Sequence, residues 1–542
     1  MDKSTKFIFV AGGVMSGIGK GITASSVAKI LQARGFSVSA IKIDPYVNVD
    51  AGTMNPTEHG EVFVLSDGLE TDQDMGNYER FLNTELYTSD YMTTGSLYLE
   101  MIRKERNLEY KGKCVSVVPE IPMLVIDKLE ASAAKHKSDF VVVEVGGTIG
   151  EYQNILFLEA YRMLKIKNPQ NALFVLVGFL PLQKDGELKS KPTQNAVRQA
   201  NAVGIQPDII IARADVSLDK VRKEKIAFNC GLQGQDVISA PNVDSIYEVP
   251  LNFERDGLGD RIIEKLNLRK RKPNLSDWRR FVSRIKNPKG EVTVGIVGKY
   301  FATGEFTLTD SYISVIEAVK HAAYEKQLKP VIGWLNSSDF ENKKASFAEL
   351  KKCDAIIVPG GFGSRGIEGK INVIKFCREN KIPYLGLCYG MQLAVVEFAR
   401  NVVGLEGAHT AEIDKKAPHV VIDVMESQKE KLAKKHYGGT MRLGNYPAKL
   451  KKGSLVESLY KKPRVIERHR HRYEVNNAYV EQIEKKGLIF SGKSPNGKLM
   501  EFIELKGHPY FVATQAHPEF LSRPLSPHPL FSGLIKAAKQ RK

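Results

Sequence analysis

The sequence is short of the features that build several whole classes of protein. Its five cysteines, Cys114, Cys230, Cys353, Cys377 and Cys388, are scattered, odd in number and form no C-x-x-C pair. That excludes a disulfide framework or a cysteine zinc site and fits a reducing, cytoplasmic setting. Apolar runs are short: Ala172 to Leu182 spans about eleven residues and contains Pro181, too little to cross a bilayer. Met1 to Lys6 leads straight into a strand-like stretch with no apolar h-region, so no signal peptide is expected. Internal repeats and low-complexity tracts are absent. With 42% hydrophobic and 26% charged residues, the composition excludes a largely disordered chain and collagen-like or coiled-coil fibres.

What is present is a long, basic, globular chain. Its 542 residues allow three or four ordinary domains, or fewer large ones. Lys+Arg is 79 and Asp+Glu is 62, so the formal charge is 79 − 62 = +17. Such a balance points to anionic partners: nucleic acid, a membrane surface or phosphorylated small molecules. No RNA- or DNA-binding module is recognisable, so the third class is expected and neither nucleic acid nor membrane is.

The first half alternates strand and helix signals. Strand cores are expected at Phe7–Val10, Ser37–Ile43, Phe140–Val145, Leu173–Val177 and Asp208–Ile211, with a helix from about Gly21 to Ala33. Continuous Val/Ile runs predict a parallel sheet covered on both faces. Leu266 to Gly290 is rich in Lys and Arg, is broken by Pro273 and Pro288, and reads as a solvated linker with a short helix near Trp278. A second α/β pattern begins at Val292–Val297 and continues through a helix near Ser311–Glu325 and strands Ala355–Val358 and Tyr384–Leu387.

Strand Phe7–Val10 is followed by Ala11-Gly12-Gly13-Val14-Met15-Ser16-Gly17-Ile18-Gly19-Lys20-Gly21-Ile22-Thr23. A glycine-rich turn between strand and helix lets backbone N–H groups approach phosphates, and a lysine reaches the outer ones. The loop varies on the standard P-loop: it is one residue longer, and Gly21 follows the lysine where Ser or Thr is usual. Lys42 and Asp44 end the second strand, Asp74 closes an acidic cluster, and Glu144 ends a third strand. Hard carboxylate ligands at strand ends suit Mg²⁺ bridging phosphates.

In the second half, Leu385-Gly386-Leu387-Cys388-Tyr389-Gly390-Met391-Gln392 has the form of a nucleophile elbow, G-x-C-x-G. The helix N-terminus favours thiolate. His517-Pro518-Glu519 follows a strand-like Tyr510–Thr514; His517 can take the thiol proton and Glu519 can orient the imidazole. Pro359-Gly360-Gly361-Phe362-Gly363 can offer N–H groups to an oxyanion. The reaction class is acyl transfer through a thioester, and an amide donor would release ammonia.

These motifs, with Asn48-Val49-Asp50, His59-Gly60-Glu61-Val62-Phe63, Gly146-Gly147-Thr148, Val243-Asp244-Ser245-Ile246-Tyr247, Gly438-Gly439-Thr440-Met441-Arg442-Leu443-Gly444 and Arg468-His469-Arg470-His471-Arg472-Tyr473, resemble the CTP synthase family from about residue 6 to about residue 538. The second half resembles class I glutamine amidotransferases. The resemblance implies a P-loop-type, Rossmann-like α/β synthase domain (1–266), a linker (267–290) and an α/β glutamine amidotransferase domain (291–542). It implies ATP-dependent amination of UTP to CTP through a 4-phosphorylated uracil, with ammonia from glutamine passed internally.

Residue by residue, the resemblance implies that Ser16, Gly17, Ile18, Gly19, Lys20, Gly21, Ile22, Lys42, Asp74 and Val243 bind ATP, and that Asp74 and Glu144 hold Mg²⁺. Ser16, Glu151, Tyr152, Gln153, Lys189, Ser190, Lys191, Pro192, Thr193, Gln194 and Lys225 would meet UTP or CTP. Cys388, His517 and Glu519 would be the triad, and Gly361, Tyr389, Gly390, Met391, Gln392, Glu412 and Arg472 would hold glutamine. Arg365 would serve GTP as an allosteric activator. A cytoplasmic homotetramer, a dimer of dimers, is implied, with CTP as a candidate feedback inhibitor. The chain departs from the family at Glu151-Tyr152-Gln153, where Asp-Ile-Glu is usual, and at Tyr389, where leucine is commoner. A different ATP-dependent glutamine amidotransferase, or a non-catalytic protein keeping only the fold, are the competing readings.

Overall fold

The computed structural model describes residues 4–541, apart from 185, 300–301, 304–305, 308, 343–344, 362, 426–427 and 429–438. The chain forms two compact units, Met1–Ala51 with Asp74–Val282, and Gly52–Gln73 with Ser283–Lys542.

The first unit is built on a seven-stranded sheet. Its strands are β1 (Lys6–Gly12), β2 (Val38–Asp44), β3 (Tyr91–Thr93), β4 (Phe140–Thr148), β5 (Ala172–Phe179), β6 (Ile209–Ala214) and β7 (Val237–Pro241). All pairings are parallel, in the order β3-β2-β4-β1-β5-β6-β7. Every residue of β1 is buried, which is why the strand carries an unbroken apolar run rather than an alternation. β1 lies between strands reached in opposite directions, and ligands of such sheets bind at the carboxyl edge beside this switch. Helix α1 (Lys20–Ala33) leaves that edge directly after the glycine-rich loop, α2 (Asp74–Leu82) packs beside it, and α3 (Lys191–Ala202) follows β5.

The basic stretch after residue 266 is more than a solvated linker. Helix α4 (Ser276–Lys286) turns its charges outward and buries Trp278, Phe281 and Val282. Trp278 donates from Nε1 to Tyr247 O at 2.8 Å and packs on Phe81 with ring centroids 5.3 Å apart. Apolar residues at i, i+3 and i+4 give this helix a face that the first unit covers.

The second unit contains a nine-stranded mixed sheet: β8 (Glu291–Gly298), β9 (Lys329–Asn336), β10 (Ala355–Val358), β11 (Tyr384–Leu387), β12 (Arg442–Leu450), β13 (Arg464–His471), β14 (Leu488–Lys493), β15 (Met500–Leu505) and β16 (Phe511–Thr514). The order is β9-β8-β10-β11-β16-β15-β14-β12-β13; the first five strands are parallel and the rest antiparallel. Helices α5 (Ile367–Glu379) and α6 (Tyr389–Phe398) pack together on one face.

By their packing, residues 52–73 group with this second unit. Arg468 on β13 explains the attachment. Its buried guanidinium donates from Nη1 to Val64 O at 3.0 Å and from Nη2 to Ser66 Oγ at 2.9 Å. Arg470 pairs with Glu70 at 2.8 Å, and the Phe63 ring meets Phe520 edge-on at 4.9 Å. Among the described residues no helix is long and apolar enough to cross a membrane.

Candidate active sites

In the first unit, the loop after β1 turns through positive φ at Val14, Gly17 and Gly19 before α1 begins. The first turn of α1 has no side-chain cap, so its N–H groups are available to an anion. Lys20 is buried at the start of the helix, against Gly12. Behind the loop, Lys42 Nζ lies 2.8 Å from Asp74 Oδ2 and 2.8 Å from Glu144 Oε1, and 3.7 Å from Asp44. Tyr78 donates to the other oxygen of Glu144, and Tyr91 to Asp44 at 2.8 Å. Burial pushes the Glu144 carboxyl up against the pull of Lys42. Asp74 is only half-buried, and against its desolvation Lys42, with Asn77 and Lys20, holds it below its usual range. The structure thus places both expected metal ligands on one cation, the Lys42 ammonium. Among the described residues no cluster of three or more ligating side chains occurs.

Val243 lines a cavity of about 110 Å³ with Gly19, Ile22, Arg213 and Phe253, beside the loop. Arg213, which the sequence did not single out, donates to Ala240 O at 3.0 Å and to Pro241 O at 3.1 Å at its edge. Ser190 and Lys225 line a second, open cavity of about 450 Å³ with Glu187, Asp219 and Arg222. Thr193 donates to Phe179 O at 2.9 Å, Gln194 to Ser190 Oγ at 2.9 Å, and Lys189 pairs with Glu187 at 2.5 Å. Lys191 and Pro192 open α3. Glu151 accepts from the Thr148 N–H at 3.1 Å, whereas Tyr152 is 94% exposed and Gln153 lies beside it on the same short turn.

In the second unit, Cys388 sits between β11 and α6 at φ 50°, ψ −100°, an elbow that projects the sulfur beyond the strand. Gly390 is required there: a Cβ would stand 2.1 Å from Val358 O. His517 Nδ1 lies 2.7 Å from Glu519 Oε1, and its ring stacks on Phe520 at 5.2 Å. Its Nε2 is buried with no hydrogen-bond partner among the described residues, which leaves it for the thiol. Burial would lower the His517 pKa, but Glu519 and Cys388 outweigh it and raise it to about 10. A cavity of about 70 Å³ joins Cys388, His517, Gly360 and Gly361 to Glu61 and Arg470.

The glycine loop 359–363 is tied back by two buried lysines that the sequence did not reveal. Lys370 donates to Pro359 O at 3.4 Å and Lys299 to Gly363 O at 3.2 Å. Glu412, expected on the glutamine amino group, accepts from the Gly363 N–H at 2.9 Å. Arg472, expected on the carboxylate, donates to Gln428 Oε1 and Thr440 Oγ1, each at 2.9 Å. Arg365 is exposed. Tyr389, Gly390 and Met391 form the buried first turn of α6. Gln392 commits its side-chain nitrogen to Tyr473 O at 2.9 Å and Gln515 Oε1 at 3.1 Å. Phe362 and Gly438 lie outside the described residues.

Comparison with known proteins fits this pair of sites. Residues 6–268 match the family described as CTP synthase N-terminus, and residues 307–537 match glutamine amidotransferase class-I. The CTP synthase of Methanocaldococcus jannaschii is 50% identical over 99% of each chain. That of Pyrococcus abyssi is 49% identical over 99% of this chain and 98% of its own. The chain belongs to the CTP synthase family. A solved structure, the glutaminase domain of Trypanosoma brucei CTPS with bound acivicin, is 37% identical, covering 46% of this chain and 94% of that chain at a TM-score of 0.42.

Proposed function

We propose that the chain aminates UTP to CTP at the expense of ATP, taking nitrogen from L-glutamine. The observation that carries this is the coexistence, in a chain of this family, of a phosphate loop backed by Asp74 and Glu144 with a cysteine elbow backed by His517 and Glu519. His517 takes the Cys388 proton, and the sulfur attacks the glutamine side-chain carbonyl. N–H groups at Gly361 and Tyr389 receive the oxyanion, and the imidazolium returns its proton to the departing ammonia. Water then cleaves the thioester to glutamate. Glu412 and Arg472 hold the α-amino and α-carboxylate groups of the substrate.

In the first unit, Lys20 and the N–H groups from Ser16 to Ile22 bind ATP phosphates, with the adenine in the cavity lined by Val243. Asp74 and Glu144 fit a divalent cation: both are hard oxygen donors, and both pair with the Lys42 ammonium at 2.8 Å. They would hold Mg²⁺, which when bound neutralises phosphate charge. Transfer of the γ-phosphoryl to the uracil 4-oxygen turns a poor leaving group into phosphate, which ammonia displaces. Lys189–Gln194 and Lys225 take the UTP triphosphate, in a homotetramer whose subunits share that site. Arg365 serves GTP activation, and Glu151–Gln153 bear on feedback by CTP.

The test is CTP formation, followed by absorbance, from UTP and ATP with glutamine or with ammonia. Cys388→Ala should lose only the glutamine-dependent rate. Absence of CTP from either nitrogen source would favour a different acceptor.

A further inference from the structure

Strands β11 and β16 run parallel with Leu387 opposite Thr514. The next residue of each, Cys388 and Gln515, therefore leave the carboxyl edge side by side. Gln515 is 0% exposed, and its backbone N–H is fixed to Glu501 O at 2.9 Å. Its Nε2 donates to Cys388 Sγ at 3.6 Å.

A side-chain amide can be turned end for end, so the sense of this contact needs an independent argument. Gln392 Nε2 lies 2.9 Å from Tyr473 O, and a backbone carbonyl can only accept. The nitrogen of Gln392 is therefore on that side, and its second hydrogen meets Gln515 Oε1 at 3.1 Å. Gln515 must then turn its NH2 toward the sulfur. A carbonyl at one end of the relay thus dictates a donor at the other.

Besides His517 and Lys370, which act on the sulfur by charge, Arg470 O accepts from the thiol at 3.7 Å. That contact suits the thiol and opposes the thiolate, because once the proton has gone to His517 an oxygen faces a negative sulfur. Gln515 supplies the charged form with a hydrogen that stays in place whether or not His517 holds the proton. A donor to an ionised partner is worth more than one to a neutral partner, and more again where water is excluded.

We propose that Gln515 is a thiolate-stabilising residue of the glutaminase, held in its donating sense by Gln392 and the Tyr473 carbonyl. This rests on Cys388 being the nucleophile. Gln515 raises the fraction of sulfur present as thiolate before attack on glutamine. It also eases departure of the same sulfur when water cleaves the thioester. No atom is transferred to or from it.

The experiment is the pH dependence of iodoacetamide labelling at Cys388, read by peptide mass spectrometry on the full-length enzyme, with kcat and KM for glutamine. Gln515→Met keeps length and removes the donor. Its labelling midpoint should rise by about one pH unit and kcat should fall about tenfold or more, with KM for glutamine changed less than about twofold. Gln515→Glu keeps shape and places an oxygen against the sulfur, so its midpoint should rise further. Gln392→Met should move the midpoint the same way by less. Ammonia-dependent CTP synthesis reports that each variant is folded. An unchanged midpoint in a folded Met or Glu variant overturns the proposal. Glutaminase surviving in Cys388→Ala overturns the nucleophile assignment instead.

Discussion

Gly21 and Asp74 compete for the same space: a Cβ on residue 21 would stand 2.2 Å from Asp74 Oδ1. This accounts for the glycine after the loop lysine, where related loops carry Ser or Thr. The carboxylate comes from the next helix, α2, and fills the position the hydroxyl would take. Restoring the common residue with Gly21→Ser should therefore displace Asp74 from Lys42. Ammonia-dependent CTP synthesis should fall about a hundredfold or more, since a shift of about 1 Å in a positioned group costs that much. Glutaminase measured on the same sample should stay near the parent rate.

The phosphate loop and the cysteine elbow can be read from sequence because each is a local pattern. A strand, a glycine turn and a helix lie within some twenty consecutive residues, so spacing alone announces the loop at Gly12–Lys20 and the elbow at Cys388. The missed features are non-local. Gln515 becomes a neighbour of Cys388 only through the register of β11 on β16. Residues 52–73 carry no composition that separates them from their flanks; Arg468, some four hundred positions away in sequence, holds them in the second unit. Lys299 and Lys370 carry no local signal that marks them as buried. The stretch near Trp278 reads as solvated because its charges outnumber its apolar residues, although those residues share one helical face.

The triad carries a pH signature. The folded-state pKa of His517, about 10, lies above the ordinary value of 6.5, with Glu519 the largest favourable cause. The Glu519 contribution to stability is therefore fully present below about pH 6.5 and is lost as pH rises towards 10. Glu519→Gln should destabilise the enzyme most at pH 6, and the difference from parent in urea unfolding should shrink steadily towards pH 10. Glutaminase kcat should fall about 10²–10⁴-fold in the same variant, the range expected when an orienting or general acid–base group is lost. A gap in stability that stays constant with pH would remove the ion pair as its source.

Arg468 serves two clients at once. Its backbone oxygen accepts from the His517 N–H at 2.7 Å, while its guanidinium holds Val64 and Ser66. Arg468→Met keeps the first contact and strips the second, leaving buried oxygens without their donor. The loss should be roughly 2–4 kcal/mol by urea unfolding. Limited proteolysis should then cut first within residues 52–73, and Arg468→Lys should restore little, because an ammonium cannot span two partners as the planar fork does.

Lys370 should show stability and activity pulling apart. It is 1% exposed, and burial, reinforced by Lys299, lowers its pKa to about 7, despite the attraction of Cys388. A lysine that binds its proton more weakly when folded destabilises the fold, fully so below about pH 7, and less as pH rises towards 10.5. Lys370→Met should therefore stabilise the enzyme by a few kcal/mol at pH 6.5, with the gain fading towards pH 10. The same change frees Pro359 O, one of the two carbonyls by which the glycine loop is drawn back from the cavity. With that anchor gone, the Gly361 N–H proposed for the oxyanion should lose its fixed position. Glutaminase kcat should fall about tenfold to a hundredfold while the melting temperature rises, because a donor to the oxyanion acts only when it is already in place. Parallel rises in both quantities would show that the loop holds its conformation without the lysine.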